Sequence, residues 1–442
     1  MTDVPVTGSG ADTREVVGGH PLVGSTPVPG DKSISHRALL LAALAEGTSV
    51  LTGLSEGDDV VRTRRAVAAL GAGVRCDPTT GTVTVEGGRG RLVAPPDAID
   101  LGNSGTGMRL LAGVVAGVPG VTRLTGDASL RSRPMDRIAD PLERMGARVS
   151  GVGERRLPPL AITGGRLTGI DYTPPMASAQ VKGAVLLAGL DADGDTVVRE
   201  PVATRAHTEE MLAESGAEVD VEPWGAGRVV RLRRSVLRPV DRAVPGDPSQ
   251  AAFWVVAGVV VPGSTITVER VHLGAERIGF VHVLVRMGAS VALHPDGGEV
   301  GTLIASHTAL TGTTVDAAEI PSLDEIPILA VAALVAEGPT RFRDVGELRV
   351  KESDRLAGTV RLVEAFGGTA RIEGDDLVVD GGAALRPGKV DAEGDHRMAM
   401  AAAVAGAACS AGASTVISGW GSVATSYPGF ADTLAALGGG SS

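Results

Sequence analysis

Six times along this chain a short polar turn opens onto a run of small apolar residues, and this repetition limits the fold more than any other feature. The openings lie at Asp31 (GDKSISHRALLLAAL), Asn103 (GNSGTGMRLLAGVVAG), Ser178 (MASAQVKGAVLLAGL), Asp247 (GDPSQAAFWVVAGVV), Asp324 (SLDEIPILAVAALVA) and Asp395 (GDHRMAMAAAVAG), with successive starts roughly 70–77 residues apart. A second marker keeps the same beat: LGAGV at Gly71, MGARV at Gly146, SGAEV at Gly216, MGASV at Gly288 and FGGTA at Gly367. Two independent markers with one period indicate one supersecondary unit used six times. The apolar runs predict helices opening near residues 36, 106, 180, 250, 325 and 397. These helices are apolar on most sides and must be buried. The Asp, Asn or Ser before each is an N-cap choice. In the first unit the pattern predicts helix over 36–46, strand over 48–54, helix over 58–70 and strands over 73–76 and 82–86. Six buried helices in two groups of three, each walled by sheets, is the economical architecture. Repeated helix starts, if brought together, would form a site for anions.

Composition sharpens this. The 442 residues suffice for two or three domains. Aromatics are only 2%, so the cores must be built from small aliphatics. A net charge of −11 argues against nucleic acid or an anionic membrane as partner, and makes any clustered Lys and Arg informative. The longest apolar runs, 183–190 and 399–409, are too short to cross a bilayer. Without a signal-like segment before Val16, the expectation is a cytoplasmic protein with a flexible polar tail over residues 1–17. Cys76 and Cys409 provide neither a disulfide framework nor a metal cluster, and Cys409, in an Ala-rich run, reads as a small buried hydrophobe.

The segments Lys32-Ser33-Ile34-Ser35-His36-Arg37, Gly102-Asn103-Ser104-Gly105-Thr106, Arg133-Pro134-Met135, Val350-Lys351-Glu352-Ser353-Asp354-Arg355 and Asp395-His396-Arg397-Met398-Ala399-Met400 together resemble the enolpyruvyl transferase family. The resemblance spans roughly residues 18–435 and is strongest to members acting on shikimate 3-phosphate. It implies an α/β (α+β) fold: a two-domain inside-out α/β barrel of six βαβαββ repeats, three per domain. One domain would combine 18–30 with 246–440, the other would span 31–245, and the active site would lie in the interdomain cleft, closing on binding. The implied reaction moves the enolpyruvyl group of phosphoenolpyruvate to the 5-hydroxyl of shikimate 3-phosphate and releases phosphate, with no cofactor or metal, in a monomer. Such chemistry needs a base and an acid that exchange roles, and cations for two phosphates and two carboxylates.

Lys32 and Arg37, in the first turn of a helix, oppose its dipole unless an anion sits there. By resemblance Lys32 contacts both substrates and takes part in catalysis, while Ser33 and Arg37 hold the shikimate carboxylate. Asn103 and Gly105 belong to a turn that is either a plain cap or a seat for phosphoenolpyruvate phosphate, with Arg133 as its clamp. Arg109 and Arg131 are tied less closely to this pattern, and either could be a surface or interdomain charge. The resemblance assigns Ser178 to the 3-phosphate, Gln180 to both ligands and Thr204 to a phosphate; Ala179 stands where some relatives carry a second Ser. Asp324 caps its helix on the bland reading and is the base for the 5-hydroxyl on the functional one. Glu352 is either an ion-paired surface residue or the group that handles the C3 proton. Arg355 and Arg397 would pair on the phosphoenolpyruvate carboxylate, where a planar guanidinium suits better than Lys. Lys351 falls on the shikimate phosphate side. Glu347 replaces an Asn of some relatives, and Thr425 a phosphate-binding Lys of others. Gly105 leaves room for glyphosate, an inhibitor with the charge pattern of phosphoenolpyruvate, whereas Leu110 and Thr425 alter the neighbourhood. His36 and His396 read as structural, and the Asp247 opening, without a basic side chain, as scaffold.

Two other readings compete. Transferases acting on UDP-N-acetylglucosamine usually carry a Cys ahead of the Arg-Pro pair, and the loop Gly126–Pro134 has none. A non-catalytic anion-binding scaffold would not need Lys32, Asp324, Glu352, Arg355 and Arg397 together.

Overall fold

The computed structural model describes residues 12–439. They divide into two compact units, one formed by residues up to Val28 together with those from Gly246 onward, the other by Pro29–Pro245. The six apolar runs are helices: α1 (Lys32–Leu44), α2 (Gly105–Ala116), α3 (Ala179–Gly189), α4 (Pro248–Val260), α5 (Ile326–Val335) and α6 (His396–Ala407). All are buried along most of their length. In the 29–245 unit α2 packs against both α1 and α3, and in the other unit α4, α5 and α6 pack against one another. Small residues permit the closeness: a Cβ on Gly113 of α2 would stand 2.2 Å from the Ala184 carbonyl of α3.

Three sheets belong to each unit. A representative one runs Ile99–Asp100, Gly120–Thr125, Leu157–Gly164, Arg148–Val152, with its first pair parallel and the other two antiparallel. Helix α2 connects the parallel pair. The chain closes each unit on itself. Arg242–Ala243 adds in parallel to Gly47–Thr52, and Val23–Pro27 adds in parallel to Thr265–His272. The expected tail over 1–17 is corrected for its last residues. Thr13–Val17 is a strand antiparallel to Ser414–Ser418, completing the sheet whose parallel pair, Lys389–Asp391 and Ser414–Ser418, flanks α6, in the place that later chain fills in the equivalent sheets. Residues 1–11 lie outside the described residues.

The cores differ. All five Phe fall in the unit containing residues 246–439, where Trp254 stacks on Phe430 at 4.5 Å. The 29–245 core is aliphatic apart from Tyr172. Cys409 is buried, its thiol pKa raised by that burial, while Cys76 is exposed. No helix among the described residues is long and apolar enough to cross a membrane.

The glycine marker has a single physical cause. Gly71, Gly146, Gly216, Gly288 and Gly367 all have positive φ, between 87° and 111°, and each follows an outer helix. After Asp136–Arg144, for instance, the Gly146 N–H donates to the Glu143 carbonyl and the Ala147 N–H to the Leu142 carbonyl. That pairing is a Schellman stop, which strongly favours a residue without Cβ. Gly146→Ala, at φ 111°, is expected to destabilise its unit by about 1–3 kcal/mol. An unchanged urea midpoint would count against this account.

Candidate active site

Buried helices need their first N–H groups satisfied inside the protein. Asp31, Ser104, Ser178, Asp247 and Asp395 do so by accepting from backbone N–H groups of the first turn. The polar residues beside these caps are thereby carried inward.

In the 29–245 unit the three starts are tied together. The buried Arg37 donates to the Ser33 carbonyl at 3.0 Å, the Thr208 hydroxyl at 2.7 Å and the Ala179 carbonyl at 3.5 Å, linking α1 to α3. Arg109 donates to Gln180 Oε1 at 2.7 Å, and Gln180 Nε2 to the Thr106 hydroxyl at 2.8 Å, linking α3 to α2. Arg133 donates to Asn103 Oδ1 and to the Ser129 hydroxyl. A Cβ on Gly105 would stand 3.0 Å from Arg133 Nη1 and 3.2 Å from Arg109 Nη1, so two guanidinium groups crowd the start of α2. Lys32 Nζ pairs with Asp59 at 3.1 Å, which offsets the adverse dipole at its position. Arg109 therefore joins the cluster, whereas Arg131 is exposed at the end of a short helix.

Two features of this unit escape sequence reasoning. Arg205, beside Thr204, donates to the Ser33 hydroxyl at 3.1 Å. Behind Thr204 lies a buried ionic network: Lys182 Nζ contacts Glu200 at 2.8 Å and Glu209 at 2.7 Å, and Arg228 approaches both carboxylates. The Thr204 hydroxyl donates to Glu200. Burial raises the Glu209 pKa although Lys182 pulls it down. A Lys inside VKGAVLLAG was the available signal, since a lone buried ammonium is too costly to persist unpaired.

In the other unit the centre is Arg355, with a fully buried side chain. Nε and Nη2 grip Asp395 at 2.7 and 3.2 Å, Nη1 donates to Asp324 at 2.9 Å, and Nη2 lies 2.6 Å from Glu352. Burial works against the arginine's charge, but Asp395, Glu352 and Asp324 outweigh it and raise its pKa. Burial likewise opposes ionisation of Asp395, and Arg355 more than offsets this, so that its pKa is lowered. Arg397 Nη2 lies 3.5 Å from Asp324 Oδ2, and Lys351 Nζ 3.8 Å from Asp324 Oδ1. The capping role considered for Asp324 is corrected: Glu325 occupies the N-cap of α5, leaving the Asp324 carboxylate to three cations. Glu347 is exposed on a 3-10 turn, and the Thr425 hydroxyl donates to the Ser422 carbonyl within its own turn. Among the described residues no cluster of His, Cys, Asp and Glu suits a metal ion.

With this geometry in view, comparison with known proteins identifies the class. The profile of the EPSP synthase (3-phosphoshikimate 1-carboxyvinyltransferase) family matches residues 16–434. A 3-phosphoshikimate 1-carboxyvinyltransferase of Methylobacterium radiotolerans is 49% identical, covering 95% of this chain and 96% of the relative. One of Caulobacter vibrioides is 48% identical, with 95% and 96% covered. Among solved structures, EPSP synthase from Acinetobacter baumannii superimposes with a TM-score of 0.83 at 38% identity, covering 96% and 97%. An enolpyruvyl transferase from Streptomyces tendae shares the fold, with a TM-score of 0.76 at 23% identity over 96% and 97% of the chains. The chain is an enolpyruvyl transferase by class. Within that class it belongs to the EPSP synthase family.

His36 is buried in α1, with Nδ1 2.8 Å from the Thr63 hydroxyl. Burial, then Lys32 and Arg37, lower its pKa to about 3, so the folded state keeps it neutral. Above the unfolded value of 6.5 His36 is neutral folded or unfolded and adds no pH dependence; below it the unfolded chain takes up the proton and the native state does not. Stability should therefore fall by about 1.4 kcal/mol per pH unit from this group. The stability difference between the unsubstituted protein and His36→Asn is expected to narrow by about 1.6 kcal/mol between pH 6.5 and 5. A constant difference in urea titrations over that range would contradict it.

Proposed function

We propose that this enzyme joins phosphoenolpyruvate to the 5-hydroxyl of shikimate 3-phosphate, giving the enolpyruvyl ether and inorganic phosphate. The observation that carries the reading is the unit-internal set of Asp324 and Glu352 on one buried arginine, with Lys351 and Arg397 beside it. Two carboxylates held by shared cations are suited to passing protons in opposite senses. Asp324 takes the proton from the 5-hydroxyl as its oxygen attacks C2, and Glu352 delivers a proton to C3; Lys32 is the further catalytic group that the family resemblance assigns. The tetrahedral adduct then returns a C3 proton as the C2–O bond to phosphate breaks. Arg355 and Arg397 receive the phosphoenolpyruvate carboxylate, which must displace an internal carboxylate from their donors. Lys351 serves the shikimate phosphate.

In the 29–245 unit, Lys32, Ser33 and Arg37 hold shikimate 3-phosphate, with Ser178, Gln180 and Thr204 on its phosphate side. Lys32, Asn103, Gly105, Gln180 and Arg133 receive phosphoenolpyruvate. The bare Cα of Gly105 and the guanidinium groups of Arg133 and Arg109 support an anion at the start of α2.

Purified protein should release inorganic phosphate from phosphoenolpyruvate only when shikimate 3-phosphate is present. Release supported instead by UDP-N-acetylglucosamine would select the other branch of the class, and release with neither acceptor would remove the transfer reaction. Glu352→Gln should leave both KM values within a few-fold while lowering kcat on the order of a hundredfold. An unimpaired kcat would take Glu352 out of the proton transfer.

A further inference from the structure

Leu323, immediately before Asp324, has φ 56° and a buried side chain. A residue with a Cβ stays in this left-handed region only where its surroundings hold it there, and such residues gather at functional sites. The holding contacts lie on either side. The Ser322 hydroxyl donates to Glu325 Oε2 at 2.9 Å and accepts from the Asp324 N–H at 3.4 Å, while the Ser322 carbonyl accepts from Lys351 Nζ at 2.9 Å. Glu325 is buried, and its other oxygen accepts from the Ser249 hydroxyl at the start of α4. Ser249 accepts in turn from Arg277, which pairs with Asp247 at 2.9 Å. Although Glu325 stands at the N-cap of α5, its side chain makes no capping hydrogen bond. Its carboxylate therefore serves the turn rather than the helix. The Asp247 opening, read from sequence as scaffold only, reaches the neighbourhood of Asp324 through this buried polar chain.

We infer that Glu325 is a positioning residue for proton transfer: with Ser249 and Ser322 it clamps the left-handed Leu323 turn and so aims the Asp324 carboxylate at Arg355 and Arg397. The inference rests on the reading of Asp324 as the base. Glu325→Ala is expected to lower kcat at least about tenfold while both KM values stay within about threefold. Glu325→Gln, which still accepts from Ser249 and can donate to Ser322, should recover most of that loss. Ser322→Ala, at a half-buried position and therefore safer for folding, should move kcat in the same direction as Glu325→Ala. Placed on Asp324→Asn, Glu325→Ala should have no further effect, because the group it aims is gone. The inference is overturned if Glu325→Ala and Ser322→Ala both keep kcat within about twofold. It is equally overturned if Glu325→Ala slows the Asp324→Asn enzyme by the factor it slows the unsubstituted one, which is the mark of general damage. An Asp324→Asn enzyme at full rate would instead remove the base reading itself, and this inference with it.

Discussion

A helix apolar on nearly every side can only be accommodated inside a core, and its exposed N–H groups must then find partners there. That constraint organises both units. Five of the six buried helices carry an Asp or Ser side-chain cap, and within each unit the helix starts are cross-linked by side chains at or within six residues of the N-cap positions. Arg37 and Gln180 join the starts of α1, α2 and α3; Ser249, Glu325, Asp324 and Arg397 join those of α4, α5 and α6. Polar chemistry collects there because those are the places where an apolar core already tolerates, and requires, hydrogen-bonding groups.

Around Arg355 this becomes an electrostatic balance. Three carboxylates, Asp324, Glu352 and Asp395, face three cations, Arg355, Arg397 and Lys351. An isolated buried guanidinium would be strongly disfavoured, and removing one partner of such a set typically costs several kcal/mol. An incoming carboxylate can be accepted without net penalty only by exchange for one of the internal ones. Asp395 is the least exchangeable, since it is fully buried, binds Arg355 through two nitrogens and also caps α6. Glu352 and Asp324, each partly exposed, are the natural ones to let go, and they are also the two proposed to move protons. In the 29–245 unit the excess is basic, with Lys32, Arg37, Arg109, Arg133 and Arg205 near the helix starts of a protein whose overall charge is −11.

Much of the fold was legible because its signals are local. Helix caps and Schellman glycines depend on a few consecutive residues, so their period exposed the repeat. The errors fall where a distant partner decides. Thr13–Val17 alternates too weakly to announce a strand, and is one because Ser414–Ser418 needs a partner. Asp324 had two readings, cap or base, and the cap fails because the helix begins one residue later and Arg355 takes the carboxylate. Arg205 was indistinguishable from a loop charge until the Ser33 hydroxyl was found beside it.

By itself the sequence determined the six buried helices, their caps and stops, and the set of charged residues that a family resemblance could gather. Those depend on hydrophobic period and backbone conformation, which are properties of short segments. Only the tertiary structure decided which charges share a partner: Lys182 with Glu200 and Glu209, Glu325 with Ser249 and Ser322, Arg355 with three carboxylates at once. Coulombic and hydrogen-bond energies act over a few ångströms of space, and residues tens of positions apart reach that distance only after the chain has closed each unit on itself.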